Sequence, residues 1–386
     1  MSQTDTTPSG GTPQPQAPRQ GKPISPGPAD DSGGDARNAL LMGIDLGTSR
    51  SAIVSVAGAR KMVESYVGWP KDPVSRKYLG KDIVFGRQAL DNRHSVNLYR
   101  PLEHGVIKYT DDQGQNNAEY QKNLDAAHML IHHLVNLVEP GRDDVLYGVI
   151  GVPAQATVRN KKAILEVAQG VLDSVMIVSE PFTVAYGMDR FNDVLVIDIG
   201  AGTTDLCRMH GTVPGDDDQI SLDTAGDAVD QKLLELIQKR HPQAQITLNM
   251  CRQLKEQYGF VSSAQDRIEI ELPVDGKPTP HDLTKEVKEA CEILVQPILE
   301  SIHKLVASFD PEFQEKLRNN VILSGGGGML DGLNKRIEDG MHEQLGGGHV
   351  TVVDEPLYAG ANGALQLAMD MPAEYWEQLE ATTAKK

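Results

Sequence analysis

A chain of 386 residues is too long for one compact core, so two domains are expected. Its 39% hydrophobic and 24% charged residues suit a globular protein, and no apolar run approaches the roughly 20 residues of a membrane span. A formal charge of -17 argues against nucleic acid and direct membrane insertion as modes of partnership.

In chain order, Met1 to about Arg37 is dense in Pro, Gly, Ser and Gln and nearly lacks apolar residues. Such a segment cannot offset its ordering entropy by burial and reads as a disordered tail over 1–38. It also lacks the apolar stretch of a secretory signal. Cys207, Cys251 and Cys291 lie far apart with no Cys-x-x-Cys, which fits small core residues in a reducing cytoplasm.

From Ala39 the pattern becomes short apolar strands alternating with amphipathic helices, an α/β arrangement. Strands are expected at ALLMGIDL, RSAIVSV, VLYGVIGV, VMIVS, VLVIDI, TDLCRMH, RIEIEL, NVILSG and VTVV. Helices are expected to start near Thr157, Pro181, Ala228, Thr247, Asp282, Leu330 and Tyr358. The expected halves are 39–187, with a smaller unit at about 62–100, and 188–357, with one at about 229–285. A C-terminal helix over 358–386 then returns to the first half.

Two stretches repeat one design 153 positions apart: GIDLGTSRSAIV around Asp45 and VIDIGAGTTDLC around Asp198. Each reads strand, aspartate, apolar residue, glycine, short polar loop, strand. Two such loops suggest two similar domains facing a shared cleft. Turns of Gly, Ser and Thr let the backbone approach a ligand, and their successive N–H groups form a nest for anions. An aspartate beside a phosphate repels it unless a cation lies between them, so the pair implies Mg²⁺ with a polyphosphate. Either loop taken singly reads equally as an ordinary strand end. A third element, a strand followed by Gly325, Gly326, Gly327 and Gly328 and then a helix, allows a flat ring to lie on the backbone.

Glu180 ends an apolar strand just before Pro181, where it either orients an attacking water or simply satisfies a helix start. His128 and His132 have helical i, i+4 spacing, but no acid follows the first histidine as in zinc proteases, so they read as a helix face.

The loops at Asp45-Leu-Gly-Thr, Asp198-Ile-Gly-Ala-Gly-Thr-Thr-Asp and Ser324-Gly-Gly-Gly-Gly resemble the phosphate and adenosine motifs of the actin superfamily. YRPLEHGVIKYTDD, VIGVPAQATVRNKKAILEVAQ and VSEPFTVAYGM resemble its MreB-like bacterial branch. GTVPGDDDQISL, KEQYGFV and PAEYWEQL are similar to the bacterial actins that organise magnetosomes. The resemblance implies an actin-like ATPase fold: two duplicated α/β domains around a nucleotide cleft, each with a smaller subdomain. It implies ATP or ADP with Mg²⁺ as ligands.

By the same resemblance, Gly47, Thr48, Ser49 and Arg50 meet the β- and γ-phosphates, although Arg50 stands where the MreB pattern has Asn. Gly200, Ala201, Gly202, Thr203 and Thr204 meet them from the other side, and Asp45 and Asp198 hold the hydrated metal. Lys255, Glu256, Gly226 and Asp227 approach the nucleoside, while Glu180 and Asp198 serve hydrolysis. The implied protein is a cytoplasmic, filament-forming cytoskeletal ATPase whose partners are itself and magnetosome-associated proteins. The competing expectations are a non-polymerising ATPase, chaperone-like or kinase-like, and an MreB-like cell-shape filament.

Overall fold

A computed structural model describes residues 38–109, 118–262 and 266–383. The Pro-rich tail lies outside the described residues, as does the end of the YRPLEHGVIKYTDD segment. The first part of the chain runs β1 (Ala39–Leu46), β2 (Arg50–Ser55), β3 (Arg60–Glu64), β4 (Val67–Pro70), α1 (Pro73–Leu79), β5 (Val84–Phe85), α2 (Gly86–Asp91), β6 (Val96–Tyr99), β7 (Leu102–Glu103) and β8 (Val106–Ile107). It continues through α3 (Ala118–Asn136), β9 (Val145–Val152), α4 (Val158–Ala168), β10 (Ser174–Ser179) and α5 (Glu180–Gly187). Next come β11 (Asn192–Ile199), β12 (Thr204–His210), β13 (Gln219–Leu222), α6 (Gly226–Arg240), α7 (Leu248–Tyr258), β14 (Glu269–Val274), β15 (Lys277–Asp282) and α8 (Thr284–Glu292). The last elements are α9 (Val295–Ala307), α10 (Pro311–Arg318), β16 (Val321–Ser324), α11 (Leu333–Leu345), β17 (Val350–Val352), α12 (Ala359–Asp370) and α13 (Ala373–Thr383).

Two five-stranded sheets carry the fold, in the orders β10-β9-β1-β2-β3 and β17-β16-β11-β12-β13. The two orders match strand for strand. In each, an antiparallel hairpin (β1–β2 or β11–β12) pairs on its other side with a parallel strand, β9 or β16. The repeated Asp loops are therefore the same hairpin turn in two equivalent sheets. The central strands are apolar on both faces, as expected where helices cover both: Met42, Ile44, Val196 and Ile197 are fully buried. Separate cores fill the two halves, one around β1, α3 and α4 and the other around β11, α6, α8, α9 and α11.

The expected strands form, and β1, β9 and β12 span the segments read from the sequence. The structure adds β3 and β13 at the sheet edges, the small β5-β4-β6 sheet, and the helices α1, α2, α9 and α10. Two expectations need correction. The helix after the glycine run starts at Leu333 rather than near Leu330, because Gly332 sits in the left-handed region at φ 76° and interrupts it. The C-terminal helix is two helices, because Pro372 has no N–H to continue the ladder and disfavours helical backbone at Met371.

α5 carries the chain from the first sheet to the second, and α12 packs back against α5, β1 and β9. Their backbones touch at Gly187 and Gly363, where a β-carbon on Gly363 would overlap the carbonyl oxygen of Thr183. Gly363→Ala should therefore force backbone movement and lower unfolding stability by about 1–3 kcal/mol or more. Urea denaturation of the two proteins measures this, and equal stability would show that the crossing has slack.

Candidate functional site

A cavity of about 540 Å³ opens between the two sheets at their repeated hairpin turns. Its size suits a nucleotide-scale ligand. Its wall includes Asp45, Gly47, Thr48, Ser49 and Arg50 from the first turn, and Asp198, Gly200, Ala201, Gly202 and Thr203 from the second. Glu180, Gly226, Lys255, Glu256, Gly325, Gly326 and Gly327 also line it. Met62, Met329, Leu330, Pro356 and Leu357 supply apolar surface beside these polar groups.

Three of the expected residues do not form the wall. The Thr204 hydroxyl donates to the Thr224 carbonyl at 2.9 Å, inside the second half. Gly328 packs toward Leu323. The Asp227 carboxylate is held by Arg100 and Arg252. Arg50 and Glu256 do line the cavity, but they pair with each other across it, with Nη2 2.6 Å from Oε2.

Register places the acids. Asp45 ends β1, opposite Gly151 of β9, and Asp198 of β11 lies directly opposite Asp205 of β12. Glu180 is the first residue of α5, immediately after β10, so the strand end delivers it to the same place. Gly151 makes room for it, since a β-carbon there would stand 3.1 Å from Glu180 Cγ. At the other end of the chain, the first turn of α12 abuts the cluster: a β-carbon at Gly360 would stand 3.0 Å from Asp45 Oδ2. The positive end of that helix favours the carboxylate.

The four acids share an unfavourable field. Burial pushes Asp45 up to about 6. Burial, reinforced by Asp45 and Asp205, raises Asp198 well above the carboxylate range. Glu180 is raised well above it too, first by burial and then by Asp45, Asp205 and Asp198. Asp205 is raised by burial and partly relieved by hydrogen bonds from Ser221, Thr203 and the Ala154 N–H. Asp205 accepts from Ala154 N at 2.9 Å and from Ser221 Oγ, so it ties the loop after β9 to β12 and β13.

This donor set fits Mg²⁺. Carboxylates raised by burial and mutual repulsion gain from a divalent cation. Among the described residues no three metal-ligating side chains converge. Mg²⁺ is commonly held by one or two carboxylates and completed by waters and phosphate oxygens. Asp45 and Asp198, at equivalent strand ends, are the residues that would hold it.

The hairpin β7–β8 reaches both turns. Its two-residue loop, His104-Gly105, has φ of 50° and 66°, the pair of left-handed residues that a tight hairpin needs. Gly105 N donates to Thr48 Oγ1 at 2.7 Å, and the His104 ring donates through Nδ1 to the Gly202 carbonyl at 2.9 Å. Neither residue was singled out from the sequence, although a glycine between the short runs Leu102-Glu103 and Val106-Ile107 is a turn signal. Asp205, Arg100 and Arg252 were missed as well, because their partners are distant in sequence.

An MreB/Mbl protein family model matches residues 39–374. The actin-like protein MamK of Paramagnetospirillum magneticum is 40% identical over 346 residues, covering 90% of this chain and 97% of that protein. A solved MamK double helical filament matches with TM-score 0.82 at 39% identity, over 87% of this chain and 100% of that one. A non-polymerising MamK mutant bound to AMPPNP matches with TM-score 0.66 at 39% identity, again over 87% and 100%. No helix among the described residues is long and apolar enough to cross a membrane.

The acid cluster has a pH signature. A carboxyl raised from 3.8 to about 6 supports the fold while protonated, and that support is lost as pH climbs through about 6. The ligand-free protein should therefore lose stability from about pH 4 to about pH 7, and binding of a magnesium polyphosphate near pH 6 should release protons. Calorimetry in buffers of different ionisation enthalpy reads that proton count. No buffer dependence would mean the acids are already ionised.

Proposed function

The chain belongs to the MreB/Mbl family and has the actin-like fold, and from this we propose that it is a magnesium-dependent ATPase whose ATP-bound subunits assemble into cytoplasmic filaments. The observation that carries the reading is the cavity between two equivalent hairpin turns, floored by Asp45, Asp198 and Glu180. MamK, at 40% identity, supports the filament, and its AMPPNP complex supports an adenine nucleotide.

The chain's own groups divide the work. The turns Gly47–Arg50 and Gly200–Thr203 line the cavity from two sides and would cradle the phosphates as anion nests do, although the Gly200 N–H is taken by the Thr203 carbonyl at 2.9 Å. The glycines at 325–327 and the apolar Met329, Leu330 and Leu357 take the nucleoside. When bound, Mg²⁺ offsets the charge of phosphates and carboxylates together. Glu180 orients the attacking water and accepts its proton. Its raised affinity for a proton suits it to that task once the cation and phosphates have reset the local field. Asp205 positions the second turn by its bond to Ala154 N.

The Gly211–Leu222 segment bears on cargo, because it is one of the stretches that resemble magnetosome-organising actins. Here it is a fixed surface feature. The half-buried Asp218 pairs with the buried Arg208 guanidinium at 2.8 Å, and Arg208 also donates to the Leu305 carbonyl and Ser308 Oγ, both at 2.7 Å. Positioning magnetosomes in rows is the cellular role proposed. Complementation of a magnetotactic strain lacking its own filament protein tests it, and scattered magnetosomes in cells with intact filaments would overturn it.

Removing the Glu180 carboxylate should separate assembly from chemistry. Glu180→Ala is expected to sediment with ATP like the unaltered protein while releasing phosphate roughly 10²–10⁴-fold more slowly. Phosphate release and sedimentation from one sample measure both. Unchanged phosphate release would move the role elsewhere, and ATP-independent or absent sedimentation of the unaltered protein would overturn the filament reading.

A further inference from the structure

Along the cavity wall, which Thr48, Arg252 and Lys255 themselves line, and behind it at Arg100, Asp227 and Asp230, charged groups link the two halves in an unbroken chain. It starts at Thr48, in the first hairpin turn. Arg100, just after β6, donates through Nε to the Thr48 carbonyl at 2.9 Å. Its Nη2 lies 2.7 Å from Asp227 Oδ2 and 3.0 Å from Oδ1. Asp227 is the second residue of α6, in the second half. Its Oδ1 also accepts from Arg252 Nη2 of α7, at 3.0 Å.

Arg252 reaches both ways. Nη1 donates to the Tyr66 hydroxyl of the first half at 2.8 Å, and Nε lies 3.1 Å from Oδ2 of the fully buried Asp230. Lys255 Nζ completes the chain, 2.7 Å from Asp230 Oδ1 and 2.6 Å from the Gly226 carbonyl. Gly226 and Lys255 line the cavity. A continuous path therefore joins the first phosphate-facing turn to the opposite wall, and Asp227 is where the two arginines meet.

Burial ranks this chain above the other ties across the cavity. The Arg252 and Arg100 side chains are 11% and 18% exposed, whereas Arg50 and Glu256 are 34% and 36% exposed and Arg60 and Glu355 are 38% and 56% exposed. Exposed pairs contribute little, but two poorly solvated guanidinium groups on one carboxylate are strongly affected by its loss. The set carries three cations (Arg100, Arg252, Lys255) against two anions (Asp227, Asp230), so without the Asp227 charge the arginines repel each other across the gap.

We propose that Asp227 is a positioning residue that clamps the two halves together and sets the rate at which nucleoside diphosphate leaves, without touching the nucleotide. This rests on the reading of the cavity as a nucleotide site. Opening the cleft means separating Arg100 from Asp227, Arg252 from Tyr66 and Arg50 from Glu256, while the His104 bond to the Gly202 carbonyl and the Ala154 N–H bond to Asp205 join the halves nearer the hairpin turns. Tightening of the clamp holds Thr48 and Lys255 against the bound nucleotide at the same time.

The test is stopped-flow release of fluorescent ADP from the full chain. Asp227→Asn keeps the side-chain shape and should release ADP about tenfold faster or more. Tyr66→Phe, which removes one hydroxyl, should give a smaller acceleration. If both act through one clamp, the double variant should release ADP more slowly than the product of the two single effects predicts. Single-turnover hydrolysis of prebound ATP should change far less than release, which separates the clamp from a catalytic role. Unchanged release in Asp227→Asn, or strictly multiplicative effects, would overturn the clamp while leaving the nucleotide reading in place. Failure of the unaltered protein to bind the fluorescent nucleotide would overturn both.

Discussion

Four carboxylates occupy one poorly solvated region where strands of two sheets end. Asp198 and Asp205 lie directly opposite each other on paired strands, an arrangement in which like charges repel. Asp45 and Glu180 add to the same field from the other sheet and from α5. Such a cluster is stable only with protons retained or positive charge brought in. The backbone contributes some relief, through the first turn of α12 near Asp45 and the Ala154 N–H on Asp205. The larger compensation fits a divalent cation with its phosphates, which is why a metal–polyphosphate pair is proposed for the cavity.

The rest of the structure keeps that cluster in place. Each hairpin turn is short because its glycines approach their neighbours closely. A β-carbon on Gly202 would overlap Thr48 Oγ1 and crowd His104, so the second turn can sit against the first only as glycine. The β7–β8 hairpin then spans the two turns with one bond to each. A change in either turn is thus felt by the other through a few ångströms of backbone.

Beyond the His104–Gly202 and Ala154–Asp205 bonds near the turns, the joints of the halves are of two physically different kinds. Where the chain leaves the first half through α5 and returns to it in α12, the two helices meet backbone on backbone at Gly187 and Gly363, packed too closely to part without losing dispersion contacts. Around Asp227 the joint consists of arginines, carboxylates and a tyrosine hydroxyl, groups that water can solvate once they separate. A permanent crossing together with a solvable clamp permits one half to move relative to the other.

What could be read along the chain was what is local in the chain. The Asp–Gly turns, the glycine run and Glu180 before Pro181 are each coded within about a dozen residues, so strand periodicity and turn chemistry located these parts of the cavity wall but not its apolar residues such as Met62, Leu294, Pro356 and Leu357. The duplication was visible for the same reason, because the two hairpins repeat in sequence as well as in space. Tertiary structure decided the partners. Arg100, Arg252 and Tyr66 look like ordinary surface residues until folding brings Asp227 within 3.0 Å of both guanidinium groups. Asp227 itself, assigned to the nucleotide from its turn, is occupied by those arginines, and Arg50 faces Glu256 rather than standing free. Charge pairing here joins residues from 22 positions apart (Arg252 and Asp230) to 206 apart (Arg50 and Glu256), and no local pattern of propensity or period encodes such a distance. For this protein the turns that line the cavity were therefore written in its loops, while the charged ties between the halves arose only from packing two similar halves face to face.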